Sequence, residues 1–374
     1  MNPIIIAHDK LIEHGGAEVV LKILVDILKP EYVIVTVIKD KIEWEKYLGV
    51  KIISPCAFRF IRTDFLFRLT YPAICFFSRF IRYNLHNSDL FLYSSTAAKH
   101  LAFYNYKKRL FYSNFPLKVF RDKAKYLSGK DNILKNKILS LYLFLSWKVE
   151  LFSMSKFSKI FVISQDAKKA YLEYYPNTFQ NSDIEVIYLP VERSMVTPIK
   201  RNFSNNDTVH FLLITRLYSE KSLVPFLDQF VRQLGRHSLR VIGAGPLLGV
   251  MREKYSDSNV NFLGFTDEET KEEELKAADA LIFPTKQEWS MTVIEANIRG
   301  LLCFMVDCPA SREINTIISG SLERPNIIYD DHINTETLIA DLNQGYRQII
   351  EYHKEIKTHF SPERFAEDLR TILK

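Results

Sequence analysis

The sequence predicts an α/β protein made of two doubly wound domains, each built on a parallel sheet. The length of 374 residues exceeds what one hydrophobic core usually supports, which favours two domains. In both halves, apolar runs of strand length alternate with apolar residues at helical spacing, which is the pattern of βαβ units. The composition, 47% hydrophobic and 25% charged, is that of a globular protein that can bury two such cores.

The first half begins with a βαβ unit. An apolar run at 4–7 precedes the glycine pair Gly15–Gly16, a helical pattern follows the glycines, and a second apolar run lies at 32–38. A strand, helix, strand connection of this kind implies parallel strands. Further strands are expected at 90–95, 110–114 and 159–164.

The second half repeats this order after a segment rich in Pro, Asn and Ser. Strands are expected at 210–215, 239–245, 260–265, 280–285 and 301–307, and helices near 222–234, 268–278 and from 292 onward. Near the end, Ser361 at an N-cap and Pro362 at a first helical position predict a terminal amphipathic helix.

Four segments follow from this reading. We expect an N-terminal domain over 1–190, a linker over 191–207, a C-terminal domain over 208–355, and a helical segment over 356–374 that packs back toward the first domain. Ligands of doubly wound domains bind beyond the carboxyl ends of the strands. The cleft between the two domains is therefore the expected site.

The net charge of +6 is unevenly distributed. Residues 1–190 hold 28 Lys and Arg against 17 Asp and Glu, whereas the remainder holds 22 against 27. A basic half suits anionic partners such as phosphates or acidic lipids. The longest apolar stretch, at 138–146, is about half the length of a membrane span, so no membrane-spanning helix is predicted.

Three groups of residues are candidates for binding a phosphorylated ligand. Gly15 and Gly16 let the backbone approach a phosphate at a helix N-terminus, although such a pair also occurs in ordinary turns. Arg216 and Lys221 follow a buried strand; they would either hold a pyrophosphate and stabilise a leaving group or form a solvated loop pair. Glu295, near the first turn of a predicted helix, would accept two ribose hydroxyls or cap the helix.

Eight short motifs occur in a fixed order along the chain. They are HDxLxxxGGAE (8–18), VISQDA (162–167), EVIYLPVE (185–192), TRLxxxK (215–221), VIGAGP (241–246), VNFLGF (260–265), AADALIFPT (277–285) and EA…G (295–300). In this order and at these distances they resemble the retaining glycosyltransferases of family 4, which have the GT-B architecture. The resemblance covers nearly the whole chain and implies two Rossmann-like domains that face each other across a cleft.

The family's donor contacts map onto seven positions of this chain. They are the backbone at Gly15 and Gly16 for the distal phosphate and the sugar, Arg216 and Lys221 for the pyrophosphate, Glu295 for the ribose, and the backbone near Gly264 and Phe265 for the base. The resemblance also implies transfer with retention from a UDP- or GDP-linked sugar, with no separate cofactor and no metal. The sequence has no DxD carboxylate motif, which agrees with that expectation.

Two positions depart from the family pattern. An acid expected eight residues before Glu295 is Gln287 here, unless the loop shifts by one residue so that Glu288 supplies the carboxylate. Relatives carry a sugar-contacting His where this chain has Asn114, which can hydrogen-bond a hydroxyl but carries no proton in this pH range. The catalytic candidates are therefore Arg216, Lys221, Gln287, Glu288 and Asn114.

Residues 51–85 interleave basic and aromatic side chains. The segment holds six Lys and Arg, one Asp and nine aromatic residues. Short amphipathic helices of this composition bind anionic membrane surfaces; alternatively, the aromatic side chains fill the core and the Arg face is solvated. Basic and aromatic residues also suit single-stranded nucleic acid, but no nucleic-acid motif accompanies them, so no such partner is expected.

The sequence and the resemblance together favour a cytoplasmic enzyme at the inner face of a membrane. It would move a hexose from a nucleoside-diphosphate sugar to a hydroxyl of a lipid-linked oligosaccharide in surface-polysaccharide synthesis. Gln287 and Asn114 keep open a catalytically weakened nucleotide-sugar-binding or scaffold protein. A sugar-nucleotide epimerase of the same architecture would need acid–base side chains over the sugar, where this chain has two amides.

Overall fold

The fold consists of two compact units, Met1–Tyr188 and Leu189–Lys374. The computed structural model describes residues 4–12, 15–54, 70, 90–95, 98–99, 108–116, 133–157, 159–191, 201–218, 223–287, 289–319, 325–330 and 333–373. Most of the basic and aromatic segment 51–85 therefore lies outside the described residues, as do residues 192–200 of the expected linker.

The first unit contains a parallel sheet of seven strands. The strands are β1 (Ile4–Leu11), β2 (Tyr32–Ile38), β3 (Ile52–Ile53), β4 (Leu90–Ser94), β5 (Lys108–Ser113), β6 (Lys159–Val162) and β7 (Ile184–Val186). Their order is β3-β2-β1-β4-β5-β6-β7. The winding direction reverses between β1 and β4, which makes the carboxyl ends of these two strands a topological switch point.

The helices described in the first unit pack around an aromatic core. They are α1 (Gly16–Leu28), α2 (Lys41–Leu48), α3 (Ile133–Met154) and α4 (Gln165–Tyr174). Phe157, just after α3, packs edge-on against Tyr93 of β4 and stacks on Phe111 of β5, with ring centroids 5.0 and 5.2 Å apart. These ring contacts fix the end of α3 against the middle of the sheet.

The second unit repeats the arrangement with six parallel strands. The strands are β8 (His210–Ile214), β9 (Ser238–Ile242), β10 (Val260–Gly264), β11 (Ala280–Phe283), β12 (Cys303–Val306) and β13 (Ile327–Tyr329). Their order is β10-β9-β8-β11-β12-β13. The winding reverses between β8 and β11, so the second switch point lies at the carboxyl ends of those two strands.

Seven helices of the second unit are described. They are α5 (Leu223–Leu234), α6 (Leu248–Lys254), α7 (Glu268–Ala277), α8 (Met291–Ile298), α9 (Pro309–Ser319), α10 (Leu338–His359) and α11 (Pro362–Leu373). The predicted cap of the last helix is present, because the Ser361 hydroxyl accepts the Arg364 N–H at 3.2 Å. α10 continues to His359, past the expected domain boundary at 355. The return of residues 356–374 toward the first domain stays a prediction.

The predicted fold class of two parallel-sheet α/β domains is confirmed. Every described pair of neighbouring strands in both sheets is parallel. β2, β11 and β12 are buried along almost their whole length, as expected for strands covered on both faces. Within the described part of the chain, no helix combines the length and the low polarity needed to cross a bilayer.

Candidate functional site

The switch point of the second sheet gathers two of the predicted site segments. β8 and β11 are neighbours, with Leu212 opposite Leu281 in their register. Arg216 lies two residues after the end of β8, and residues 284–287 directly follow β11. Because the carboxyl ends of parallel strands meet at one edge of the sheet, both segments begin at the same edge.

Arg216 has a fixed backbone and an exposed side chain. The flanking N–H groups of Thr215 and Leu217 donate to the carbonyls of Ile242 and Ala244, both at 3.0 Å. The Arg216 side chain is exposed, and its guanidinium lies 5.7 Å from the centre of the Tyr218 ring. An exposed guanidinium can bind an anionic ligand, and among the described residues no carboxylate forms an ion pair with this one.

Two glycines after β9 allow this pairing to continue beyond the strand ends. A Cβ atom at Gly243 would overlap the Thr215 carbonyl oxygen, and one at Gly245 would overlap that of Leu217. In the sequence, these glycines were identified only as part of the VIGAGP motif at 241–246. The structure supplies the physical reason for the glycines: the backbone beside Arg216 runs in direct contact with them.

Gly264 and Phe265 lie at the end of the next strand. The Gly264 carbonyl accepts the Gly243 N–H at 2.8 Å, which joins this position to the glycine segment beside Arg216. The Phe265 side chain is 86% exposed, although an aromatic ring of this size is usually at least partly buried. Its exposure at the carboxyl edge leaves an aromatic surface free to meet a flat ligand.

Glu295 lies in the second turn of α8 and forms an ion pair that sequence reasoning missed. The helix begins at Met291, with the Ser290 hydroxyl accepting the Val293 N–H at 3.2 Å, so Glu295 is its fifth residue rather than a first-turn residue. Its carboxylate lies 3.6 Å from the Lys271 ammonium of α7. Lys271 also pairs with Glu268 at 2.6 Å.

The surroundings of Glu295 act on the pKa of its carboxyl in opposite directions. Burial raises the pKa of the Glu295 carboxyl above its usual range, while the positive charges of Lys271 and Arg299 act in the opposite direction. Arg299 donates to the Glu295 carbonyl oxygen at 2.9 Å and pairs with Glu272 at 2.6 Å.

Gln287 is held by its own loop. Its side-chain amide donates to the Thr285 hydroxyl at 2.7 Å, and its backbone carbonyl lies 3.9 Å from the Cys308 sulfur. Thr285 is buried. The Gln287 side chain is therefore oriented at the switch point with its amide oxygen remaining as an acceptor.

Three buried asparagines anchor the helix that carries Glu295. The side-chain amides of Asn297 and Asn326 bond to each other twice, at 2.8 Å each way. Asn315 exchanges two bonds with the backbone of Asn326, at 2.9 and 3.1 Å. These contacts tie α8 and α9 to the segment before β13, and periodicity did not reveal them because buried amides resemble any other polar residue in sequence.

Three predicted residues belong to the first unit and lie at the carboxyl edge of its sheet. Gly15 precedes α1 in an extended conformation and Gly16 is its first residue. A Cβ atom at Gly16 would meet nothing within 4 Å. Asn114 directly follows β5 and is partly exposed, whereas its neighbour Phe115 is buried.

Lys221 and Glu288 lie outside the described residues, so their roles stay predictions. Among the residues that the structure describes, no three or more His, Cys, Asp or Glu side chains are grouped as metal ligands would be. The structure thus places Arg216 and Thr285–Gln287 after neighbouring strands at one edge of the sheet, and it brings Glu295 to the helix that follows Gly264–Phe265.

Comparisons with known proteins agree with this architecture. Residues 208–330 match the family model described as "Glycosyl transferases group 1". No curated protein matches the chain.

Solved structures match over almost the entire chain. The apo lipopolysaccharide outer core galactosyltransferase WaaB is 16% identical with a TM-score of 0.65, covering 99% of both chains. HepE from Anabaena in complex with UDP-glucose is 13% identical with a TM-score of 0.66, covering 100% of this chain and 99% of that one. Sucrose-phosphate synthase from Thermosynechococcus elongatus is 13% identical with a TM-score of 0.68, covering 100% and 98%. The resemblance found in the sequence is confirmed at the level of family match and fold: residues 208–330 match the model of glycosyl transferases group 1, and the chain has the GT-B fold of these solved glycosyltransferase structures.

Proposed function

We propose that this protein is a retaining glycosyltransferase that moves a hexose from a nucleoside-diphosphate sugar to a hydroxyl of a lipid-linked oligosaccharide. The observation that carries the proposal is the exposed Arg216 guanidinium at the switch point of the second sheet, with no ion-pair partner among the described residues. An anionic ligand would supply that partner. HepE, a solved structure of the same fold, contains UDP-glucose.

The other groups at this edge fit the parts of a nucleotide sugar. The exposed Phe265 ring offers a surface for a base. Glu295, held by Lys271 at 3.6 Å, would accept ribose hydroxyls while it is ionised. Gln287, oriented by Thr285, would hydrogen-bond the transferred sugar, with Glu288 as the alternative acid of that loop.

In the proposed chemistry, the protein mainly stabilises the leaving group. As the bond between the sugar and the diphosphate breaks, negative charge grows on the diphosphate oxygen, and Arg216 and Lys221 would stabilise it. The acceptor hydroxyl would attack from the same face, and its proton would pass to the departing phosphate. Such a mechanism needs neither a carboxylate base nor a metal, and no separate cofactor is part of the proposal.

The first unit would supply the acceptor side. Asn114 lies at the carboxyl edge of that sheet, where an amide would hydrogen-bond a sugar hydroxyl. The basic and aromatic composition of residues 51–85 supports contact with an anionic membrane, where a lipid-linked acceptor would reside. A role in surface-polysaccharide synthesis at the cytoplasmic face follows from that acceptor.

Replacement of the two basic residues, Arg216 and Lys221, tests the diphosphate site. We expect Arg216→Ala and Lys221→Ala each to lower kcat/KM by about a hundredfold or more, because each removes charge from the leaving diphosphate. Arg232→Ala, which removes an exposed arginine of α5, is the matched control and should leave turnover unchanged. Near-normal turnover in both site variants would refute the assignment. A thermal-shift screen with UDP, GDP and their sugars identifies the donor used in these assays.

A second candidate, a nucleotide-sugar-binding protein without transferase activity, is favoured by one observation. Gln287 stands where the family has an acid, and its amide is engaged by Thr285. Slow hydrolysis of the donor by purified protein separates the two, since a binding protein would retain the donor without turnover.

A further inference from the structure

The helix α3 exposes an apolar face. Of the ten large hydrophobic side chains that are exposed among the described residues, five lie on this helix, with exposures between 49% and 63%. They are Ile138, Leu141, Phe144, Leu145 and Phe152. At 3.6 residues per turn, these five side chains fall within an arc of about 120°. They therefore form one continuous surface, the outward face of α3.

The opposite side of the same helix is buried and carries a carboxylate. Glu150 is completely buried and pairs with the buried ammonium of Lys99 at 2.6 Å. The Tyr175 hydroxyl donates to the same carboxylate at 2.6 Å. Because an unpaired buried carboxylate is strongly unfavourable, this contact fixes the rotation of the helix. The apolar side faces outward because the acidic side is held inward.

The charge on the outward face is entirely positive. Glu150 is the single acidic residue between positions 133 and 157, and it is buried. Lys137, Lys148 and Lys156 are exposed. The Lys148 ammonium lies 5.4 Å from the centre of the Phe144 ring, and that of Lys156 lies 4.3 Å from the centre of the Phe152 ring.

We propose that the outward face of α3 docks on an anionic lipid bilayer. Phenylalanine and leucine side chains insert at the boundary between headgroups and acyl chains, and lysines reach lipid phosphates with their apolar stems lying along the apolar surface. A twofold contact of this face with itself would bring its lysines against each other, which disfavours a second copy as the occupant. This surface is distinct from residues 51–85, and it adds a second contact with the membrane that the proposed function requires.

Vesicle co-sedimentation tests the proposal. We expect the full chain to pellet with vesicles of equal parts phosphatidylcholine and phosphatidylglycerol and to bind pure phosphatidylcholine vesicles more weakly. The double variant Phe144→Ser with Phe152→Ser should lower partitioning onto the anionic vesicles by at least about tenfold. The matched control, Ile42→Ser with Val250→Ser, removes exposed hydrophobic side chains elsewhere and should partition like the unmodified protein.

A charge variant keeps the test decisive if the phenylalanine variant folds poorly. Lys148→Glu with Lys156→Glu changes only exposed side chains and should weaken binding to anionic vesicles by about fivefold or more for each lysine, with little effect on neutral vesicles. Equal partitioning of the unmodified protein and both variants would overturn the proposal. The proposal would also be overturned if the unmodified protein were a dimer that does not bind vesicles and the phenylalanine variant were a monomer. Donor binding is measured separately by titration with UDP and GDP, so failure of the proposed donor site is distinguished from failure of this surface.

Discussion

Glycines stand at the carboxyl edges of both sheets, but for opposite reasons. In the second unit, a side chain at Gly243 or Gly245 would collide with the backbone carbonyls of Thr215 and Leu217. In the first unit, a methyl group at Gly16 would meet nothing within 4 Å. The second unit's glycines are required by the chain itself, whereas nothing described in the protein requires Gly16.

This difference separates structural glycines from candidate ligand-binding ones. A glycine demanded by neighbouring backbone says nothing about a ligand. A glycine with open space beside it, at the start of a helix where N–H groups are unpaired, is suited to the close approach of something outside the chain. The comparison therefore ranks Gly16 above Gly243 as a binding residue.

The largest effect is expected from Gly243→Ala. The added methyl group would overlap the Thr215 carbonyl oxygen, and backbone cannot rotate away as a side chain can. We expect a loss of about 3 kcal/mol in the unfolding free energy of the second unit, measured by urea denaturation. The matched control is Gly249→Ala in α6, where a Cβ atom meets nothing within 4 Å; it should be neutral or stabilise by up to about 1 kcal/mol.

Gly16→Ala is the reverse case. We expect the free energy of unfolding to be unchanged or to rise by up to about 1 kcal/mol, because the position has room for a methyl group. Turnover should nevertheless fall by about tenfold to a hundredfold if a phosphate or sugar lies against this backbone. Full activity in a stable Gly16→Ala protein would exclude Gly16 from the site and contradict the comparison.

A stability effect of similar size is expected at Glu295, because burial disfavours its ionised carboxylate in the folded protein. Its pKa is raised by burial, so its ionisation disfavours the folded state. That penalty is absent below the ordinary carboxyl pKa and grows as pH rises through the folded value. We therefore expect Glu295→Gln to stabilise the protein by up to about 1 kcal/mol at neutral pH and to have no such effect near pH 4.

The same substitution should weaken the donor contact. We expect the Kd of the nucleotide to rise by about tenfold, and the preference for a ribonucleotide over its 2′-deoxy analogue to shrink. Titration calorimetry with both nucleotides checks this. An unchanged preference in the variant would exclude ribose recognition by Glu295, whatever the change in stability.

Much of the fold could be predicted from sequence because buried parallel strands have an unmistakable composition. Runs such as YVIVTVI and ALIF are apolar at nearly every position, which surface strands are not. Helix ends could also be predicted where the sequence encodes a cap locally, as at Ser361 with Pro362. The sequence did not show that one long helix continues past residue 355, so the expected limit at 355 lies within α10.

The site was predictable in its residue types and less so in its contacts. Arg216 and Gln287 follow strands that the pattern identified, and the sheet order places those two strands side by side. The pairing of Glu295 with Lys271 joins residues on separate helices, which no local pattern encodes. The outward face of α3 was missed because apolar stretches are normally assigned to the interior, and only the buried Lys99–Glu150 pair reverses that choice.

The packing of Trp289 gives the second unit a built-in optical reporter. The chain contains three tryptophans, and Trp289 is the single one between Leu189 and Lys374. Its indole is buried, with its ring centroid 6.4 Å from that of Phe360, and it follows the Gln287 loop directly. Selective replacement of Trp44 and Trp147 by phenylalanine would leave one tryptophan, whose fluorescence emission would report the unpacking of the carboxyl-terminal helices in real time and would test whether nucleotides change the environment of that loop.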